Sequence, residues 1–382
     1  MGAVQELRAL LRFRPLHLLA LTIFLAGVGW FCFTLKFCVI DLDFWWHLKV
    51  GDWIVQHLSV PHTGILSRTA ANLPWVAYSW GYEVLLSRAY AWFGLLGIGL
   101  YGTLLTLAVA YSVFWMLRRL TGRFWLACLL AVVCCYAFLF GIMPRPVFFS
   151  MILFCVTLTL ILEANRSGRV QTLYWLPVIF LLWANLHIQF IYGLFAVGLL
   201  LGINLVQRAA AYLGVTPGFM AAPTVSAGPL AAVFAACVLA TLVGPYSYHL
   251  YGVILGYSRS KVPYSAIMEL QALSFRASPN YVELFLAAAA FFVVGWRKQV
   301  DLFKLALLVV ACMVAFRAMR DAWFLCLTAA AFIADIPIGE SEPKETPLEL
   351  ASVFVVVALV LLLFARATDF NTRGLDRRAN AS

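Results

Sequence analysis

The chain has 382 residues, 64% of them hydrophobic and only 12% charged, with a mean hydropathy of +0.93. Soluble domains run nearer ~45–50% apolar and ~25% charged, so the composition excludes an ordinary soluble protein and points to a polytopic membrane protein. The net charge of +10 gives no case for a nucleic-acid partner, because the positive residues are scattered between apolar segments, where they set topology and meet anionic lipid.

Arg8, Arg12 and Arg14 precede a run from Pro15 to Leu35 that carries no charge. The run exceeds the ~7–15 apolar residues of a secretory signal and ends in no small-residue cleavage site, so it reads as an uncleaved first span. Further apolar runs at about 96–117, 124–143, 147–163, 172–187, 189–206, 228–243, 281–296, 302–316, 322–337 and 349–365 bring the total to about 11 transmembrane helices. Helices are required because backbone in lipid must satisfy its own hydrogen bonds. Leu305 to Phe316 is short, which predicts a tilted helix or one arm of a re-entrant hairpin. The expected fold is an all-α integral membrane bundle forming one domain over 1–366, followed by a short basic tail at 367–382. Of nine cysteines, most lie inside apolar runs, where Cys acts as a small hydrophobe, and no metal-ligand or disulfide spacing occurs.

Arg118, Arg119 and Arg123 fall in one short turn, Arg166 and Arg169 in another, and Arg297, Lys298 and Lys304 in a third. With the N-terminal arginines these share one side, which places that side and the N-terminus in the cytoplasm of a cell-membrane protein. Two long polar segments, 37–95 and 244–280, then face outward. In the first, VIDLDFWWHLKVGDWIVQH (Val39–His57) sets Lys49, Asp52 and Gln56 on one helical face and Trp46, Val50, Trp53 and Ile54 on another, an amphipathic interfacial helix. A second such helix is expected at about 79–93.

Candidate chemistry gathers on the outward side. Asp41 and Asp43 follow the first span, where an unpartnered carboxylate is costly. Asp43 and His47 are four apart, on one helical face; such a pair can activate a hydroxyl or, with Asp41, hold a divalent metal ion, the candidate cofactor. Capping of a helix beginning near Phe44 is the competing role for one of the two aspartates. Arg145, between Pro144 and Pro146, is either an interfacial arginine in a tight turn or a stiffly held phosphate ligand. Asn185, His187 and Gln189 interrupt a stretch from Val170 to Val206 that has no Asp, Glu, Lys or Arg. Asn185 fits an interhelical hydrogen bond, and His187 is expected to be the more exposed of the group. Arg317 and Asp321 have the spacing of a helical ion pair, which leaves Arg320 for an anion. Arg259, Lys261, Glu269 and Arg276 read as charges of a solvated loop. Carboxylates near cations, with Trp46 and Trp80 as platforms for sugar rings, suit a ligand with an anionic head and an apolar tail, such as a sugar carried on a lipid phosphate.

The ordered motifs DLDFWWHLKVGDWI, VPHTGILS, Pro74–Trp75, RPVFFS, LLWANLH and GPYSYHLYG across 41–252 resemble a family of polytopic bacterial membrane proteins of the GT-C glycosyltransferase type, of which the oligosaccharyltransferases and protein mannosyltransferases are distant fold relatives. The resemblance implies an acidic motif at Asp41 and Asp43, followed by His47, with Arg145 and His187 at the family's Arg-Pro and Asn-Leu-His positions. It also implies a polyprenyl-phosphate sugar donor and a glycan, lipid or protein acceptor on the extracytoplasmic side of the membrane. The chain departs from the pattern at Gly64, where relatives carry an acid, near Tyr78–Ser79, where a His-Glu pair is common, and at Ile188–Gln189, where Gly-Gly stands. Glu83 is a nearby carboxylate. Ionisable groups at one surface and no internal repeat favour an enzyme over a transporter, whose ionisable groups sit at mid-membrane on broken helices. The glycine at 64 points to a third reading, a non-catalytic subunit of a cell-envelope complex.

Overall fold

The computed structural model describes residues 15–34, 42–69, 71–139, 145–218, 220–259, 267–296 and 299–336. Asp41, the N-terminal arginines, Lys261, the apolar run at 349–365 and the basic tail lie outside the described residues. Among the described residues there are twelve α-helices: α1 (Pro15–Thr34), α2 (Leu42–His57), α3 (Trp80–Thr121), α4 (Phe124–Phe138), α5 (Val147–Ser167), α6 (Leu176–Leu186), α7 (Phe190–Tyr212), α8 (Ala227–Thr241), α9 (His249–Arg259), α10 (Ser278–Gly295), α11 (Leu302–Arg317) and α12 (Ala322–Ala334). Among the described residues there is no strand, only two isolated bridges, Thr63 with Pro74 and Met220 with Val300. Among the described residues four helices, α3, α5, α7 and α10, are long and apolar enough to cross a bilayer. All eight cysteines among the described residues are free thiols.

The described apolar runs become helices because their Leu, Ala, Phe and Val residues carry no side-chain group that competes with the backbone ladder, and turn residues stop them. Gly122, at φ 71°, ends α3 in the left-handed conformation and returns its N–H to the Arg118 carbonyl at 3.0 Å. The helix expected at 79–93 forms as the first arm of α3. Gly94, with φ 58° and ψ −141°, breaks the helical path before the second arm; a side chain at that backbone conformation would be strained. In the second long segment a helix, α9, replaces the irregular loop expected there.

At the centre stands α12, AWFLCLTAAAFIA, apolar all round and buried on nearly every side. It packs against α10, α11, α4 and α5. Its 13 residues rise only ~20 Å at 1.5 Å each, short of the ~30 Å of bilayer hydrocarbon, which a helix wrapped by others tolerates. Lipid-sized apolar surface is left outside, with Trp92 72%, Phe93 61% and Leu104 65% exposed along α3.

Both long segments lie at one end of the bundle. The Tyr246 hydroxyl donates to the Pro61 carbonyl at 2.6 Å, and Tyr78 hydrogen-bonds Tyr257. Basic residues of the first two turns meet at the opposite end, where Arg119 pairs with Glu163 at 2.9 Å and Arg166 donates to the Leu120 carbonyl at 3.0 Å; Arg297 and Lys298 of the third lie outside the described residues. Along α5, Val147 and Arg166 mark the two ends, ~29 Å apart at 1.5 Å per residue, close to the ~30 Å hydrocarbon thickness.

Helix α2 is seated on α3, its buried face formed by Phe44, Val50 and Ile54. Gly51 permits the contact: a Cβ there would lie 2.0 Å from the Glu83 backbone oxygen and 2.9 Å from the Ser87 Cβ. Gly51→Val is therefore expected to push α2 off α3 and lower the melting temperature of the purified protein, overpacking of this kind costing ~1–3 kcal/mol. Gly99→Ala, which meets nothing within 4 Å, is the control; equal melting of the two variants would refute the close-approach argument.

Candidate functional site

The segments meeting at the first-loop end enclose a cavity of about 840 Å³. Its wall is built from seven stretches of sequence. The first turns of α2 supply Asp43, Trp46 and His47, and Tyr78 and Ser79 precede α3. Ala137 and Phe138 come from the end of α4, Arg145 to Val147 from the start of α5, and His187 from the turn between α6 and α7. The segment 269–283, running into α10, adds Glu269, Arg276, Asn280 and Glu283; the turn between α11 and α12 adds Met319 and Arg320.

Helix α2 begins at Leu42, so Asp43 sits inside its first turn and does not serve as the cap. One turn on, His47 faces the same cavity. The Asp43 carboxylate pairs with Arg145 Nη1 at 3.0 Å, and the same nitrogen lies 3.0 and 3.1 Å from the two Glu269 carboxylate oxygens. Arg145, expected as a phosphate ligand, is thus bridged between two acids. Among the described residues no group of three or more His, Cys, Asp or Glu side chains gathers as a metal would require. The partner of Asp43 is a guanidinium, which stands where a second metal ligand would be needed, so the described donor set does not fit a divalent ion.

His47 is 5% exposed and Glu83 1% exposed, with His47 Nδ1 3.0 Å from Glu83 Oε1. The imidazole stacks on Trp46 with ring centroids 3.6 Å apart and meets Tyr82 edge-on at 5.3 Å. Glu83 is accordingly behind the wall, reaching the cavity only through His47. His187, expected to be exposed, is buried at 1% while still lining the cavity. Its Nδ1 is 2.8 Å from Ser150 Oγ, which accepts from the Trp183 indole N–H at 2.7 Å. Because the indole can only donate, the Ser150 proton is available for Nδ1, and the ring proton of a neutral His187 then resides on Nε2. Burial, and after it the charges of Arg320 and His47, hold this imidazole well below the usual histidine range.

Arg320 is half-buried on the cavity wall and Arg276 is exposed at it; neither makes an ion pair among the described residues. Tyr78 stands beside them, its hydroxyl pushed up to about 12, chiefly by burial. Asp321 does not pair with Arg317. It accepts from Gln189 Nε2 at 2.9 Å, and burial raises its carboxyl against the lowering effect of Arg320. Arg317 points to the exposed surface and is absent from the cavity wall. Trp80 is also elsewhere: its indole donates to Asn185 Oδ1 at 3.1 Å, and Asn185 in turn donates to the Leu181 and Val243 carbonyls, a set of interhelical ties. Asp41, the remaining expected site residue, lies outside the described residues.

Reasoning from the sequence missed Tyr78, Ser79, Asn280 and Glu283, and took Glu269 and Arg276 for solvated charges. Glu283 carried a usable signal, being an ionisable residue inside the apolar run 281–296. Ser79 Oγ and Glu283 Oε2 are buried without a hydrogen-bond partner among the described residues, polar atoms turned toward a cavity that a ligand could satisfy.

Comparison with protein-family models and with curated proteins gave no match for this chain.

A second cavity of about 540 Å³ lies at the opposite end, between α5, α7 and α11. Its polar groups are engaged with one another: Arg166 and Lys304 with Asp335, Asn165 with Asp301 at 3.0 Å, Asn204 with the Val225 carbonyl at 2.7 Å and Gln207 with the Ala221 carbonyl at 2.8 Å. That pattern ties helix ends together and leaves the first cavity as the functional candidate.

Proposed function

We propose that this chain is a membrane glycosyltransferase of GT-C type, transferring a sugar from a polyprenyl-phosphate donor to an extracytoplasmic acceptor, with about eleven spans. The observation that carries the reading is the convergence of Asp43, Trp46, His47, Arg145, His187 and Arg320, drawn from four separate regions of the sequence, on one 840 Å³ cavity. A site of ~300–1,000 Å³ with an apolar wall and a few convergent polar groups is the usual setting for a small ligand. Here Ala137, Phe138 and Val147 supply apolar wall for the first isoprene units, and Trp46 offers a ring face for a sugar. Arg320 and Arg276, with the Tyr78 hydroxyl, form a pole suited to phosphate oxygens.

Two further observations support an enzyme over a passage or a scaffold. The rings of Phe154, Trp323, Phe324 and Tyr192 pack against one another beneath the cavity, with centroid separations of 4.8 to 6.0 Å, so that end of the bundle is backed by solid core. Gly64, where an acid was expected, sits in the turn bridged by Thr63 and Pro74 and is not among the cavity-lining residues. Its substitution therefore removes no group from this wall.

The test is mass spectrometry of lipids retained by the purified protein. A polyprenyl-phosphate sugar is expected to survive purification with it. Recovery of bulk phospholipid alone, from protein shown to be folded, would reject the reading.

A further inference from the structure

A sugar transfer in this cavity needs a group to take the proton of the acceptor hydroxyl, and the wall offers several. Asp43 and Glu269 both engage Arg145, so their oxygens are committed to a guanidinium. His187 is kept neutral by burial and by Arg320, conditions that oppose the uptake of a proton. Glu283 is 2% exposed in the second turn of α10, with one oxygen unpartnered and no cation bonded to it among the described residues.

His47 differs from all of these. Its Nδ1 is 3.0 Å from Glu83 Oε1, its ring is clamped on Trp46, and the side chain forms part of the cavity wall. A base oriented by a third group is the arrangement that hydroxyl activation uses on unrelated folds. The backbone is built to hold it: His47 and Gly51 are one turn apart on α2, and Gly51 lies directly against the Glu83 carbonyl. The helices therefore touch at the height where the imidazole meets the carboxylate.

We propose that His47 accepts the proton of the attacking hydroxyl and that Glu83 is its positioning residue; this rests on the glycosyl-transfer reading of the cavity. In the step, the acceptor oxygen bonds to the anomeric carbon while the bond from that carbon to the donor phosphate oxygen breaks. The bonding pair leaves with the lipid phosphate, and the hydroxyl proton passes to the imidazole, which later returns it to water. With Nδ1 engaged by Glu83, transfer runs through Nε2. Glu83 stabilises the imidazolium as it forms. Among the described residues, the other charged and titratable groups on this wall about His47 include Tyr82 on α3, Tyr78 before it, His187, Arg320, and Asp43 with Arg145 on its own side. Of these, the cations Arg320 and Arg145 oppose protonation of His47 and Asp43 favours it.

The experiment follows sugar release from the donor that co-purifies with the full-length protein, onto water or added methanol, alongside mass spectrometry of the retained lipid. His47→Gln and Glu83→Gln are expected to retain the donor as the parent does. Transfer by His47→Gln should fall ~10²–10⁴-fold, the range for loss of a general base. Glu83→Gln should fall less and shift the acid limb of the pH–rate profile to lower pH, because an imidazole without its carboxylate binds a proton less readily. In nitrogen-15 histidine spectra of Glu83→Gln, which require no turnover, the His47 titration should move in the same direction. A retained donor with unchanged rate in His47→Gln, or an unmoved titration in Glu83→Gln, overturns the proposal alone. Absence of any lipid-phosphate sugar from the parent protein overturns the transfer reading and this role with it.

Discussion

Asp335→Ala is expected to lower the melting temperature of the purified protein sharply, because it removes a carboxylate that Arg166 and Lys304 both engage. The two cations are not equivalent. The Arg166 side chain is 47% exposed and can turn to water, whereas that of Lys304 is 6% exposed. Leaving such an ammonium without its acid costs ~3–5 kcal/mol when one partner of a buried pair is deleted. A typical domain has only ~5–15 kcal/mol of net stability. Lys304→Met should be mild by comparison, since Asp335 keeps Arg166 and the methionine fills the same volume. Adding Lys304→Met to Asp335→Ala should recover most of the lost melting temperature. Detergent-solubilised thermal melts of the three variants measure this, and a double variant no more stable than Asp335→Ala would show that the buried ammonium is not what destabilises it.

The pair also illustrates where sequence reasoning stops. Lys304 read as a topology marker, while Asp335 drew no reading inside the apolar run 322–337. Nothing in their spacing says that α11 and α12 bring them together. The helices themselves were legible because an uncharged run of this length has few other solutions in lipid. Part of the cavity wall was legible for a related reason: Asp43, His47, Arg145, His187 and Arg320 are conspicuous polar residues in an apolar chain. What could not be read was rotation about each helix axis and which partner each group meets. Glu83 lies 36 residues from His47, and only the seating of α2 on α3 joins them. Trp80 has the chemistry of a sugar platform but is turned toward Asn185.

The arginines after α11 sharpen the same point and give the largest expected effect on binding. Arg317 and Arg320 are three residues apart, Arg317 expected to pair with Asp321 and Arg320 to meet an anion; α11 ends at Arg317 and a 3₁₀ turn, Met319–Asp321, redirects the chain. One side chain is left on the exposed surface and the other in the cavity. If Arg320 holds the donor phosphate, Arg320→Ala should lower donor retention by ~30-fold or more, in line with the ~2–5 kcal/mol for truncating one partner of a desolvated charge pair. Arg320→Lys should recover part of it, since an ammonium keeps the charge but not the forked geometry. Arg317→Ala should retain donor normally. Loss of Arg320 carries a second signature: its charge helps hold His187 down, so the imidazole should titrate higher in Arg320→Ala, though still below the usual range because burial is the leading cause. Retained lipid quantified for the three variants, with the His187 titration followed by nitrogen-15 spectra, separates the outcomes. Equal donor retention by Arg320→Ala and Arg317→Ala would mean that the phosphate is held elsewhere, with Arg276 the remaining cation on the wall that has no acidic partner among the described residues.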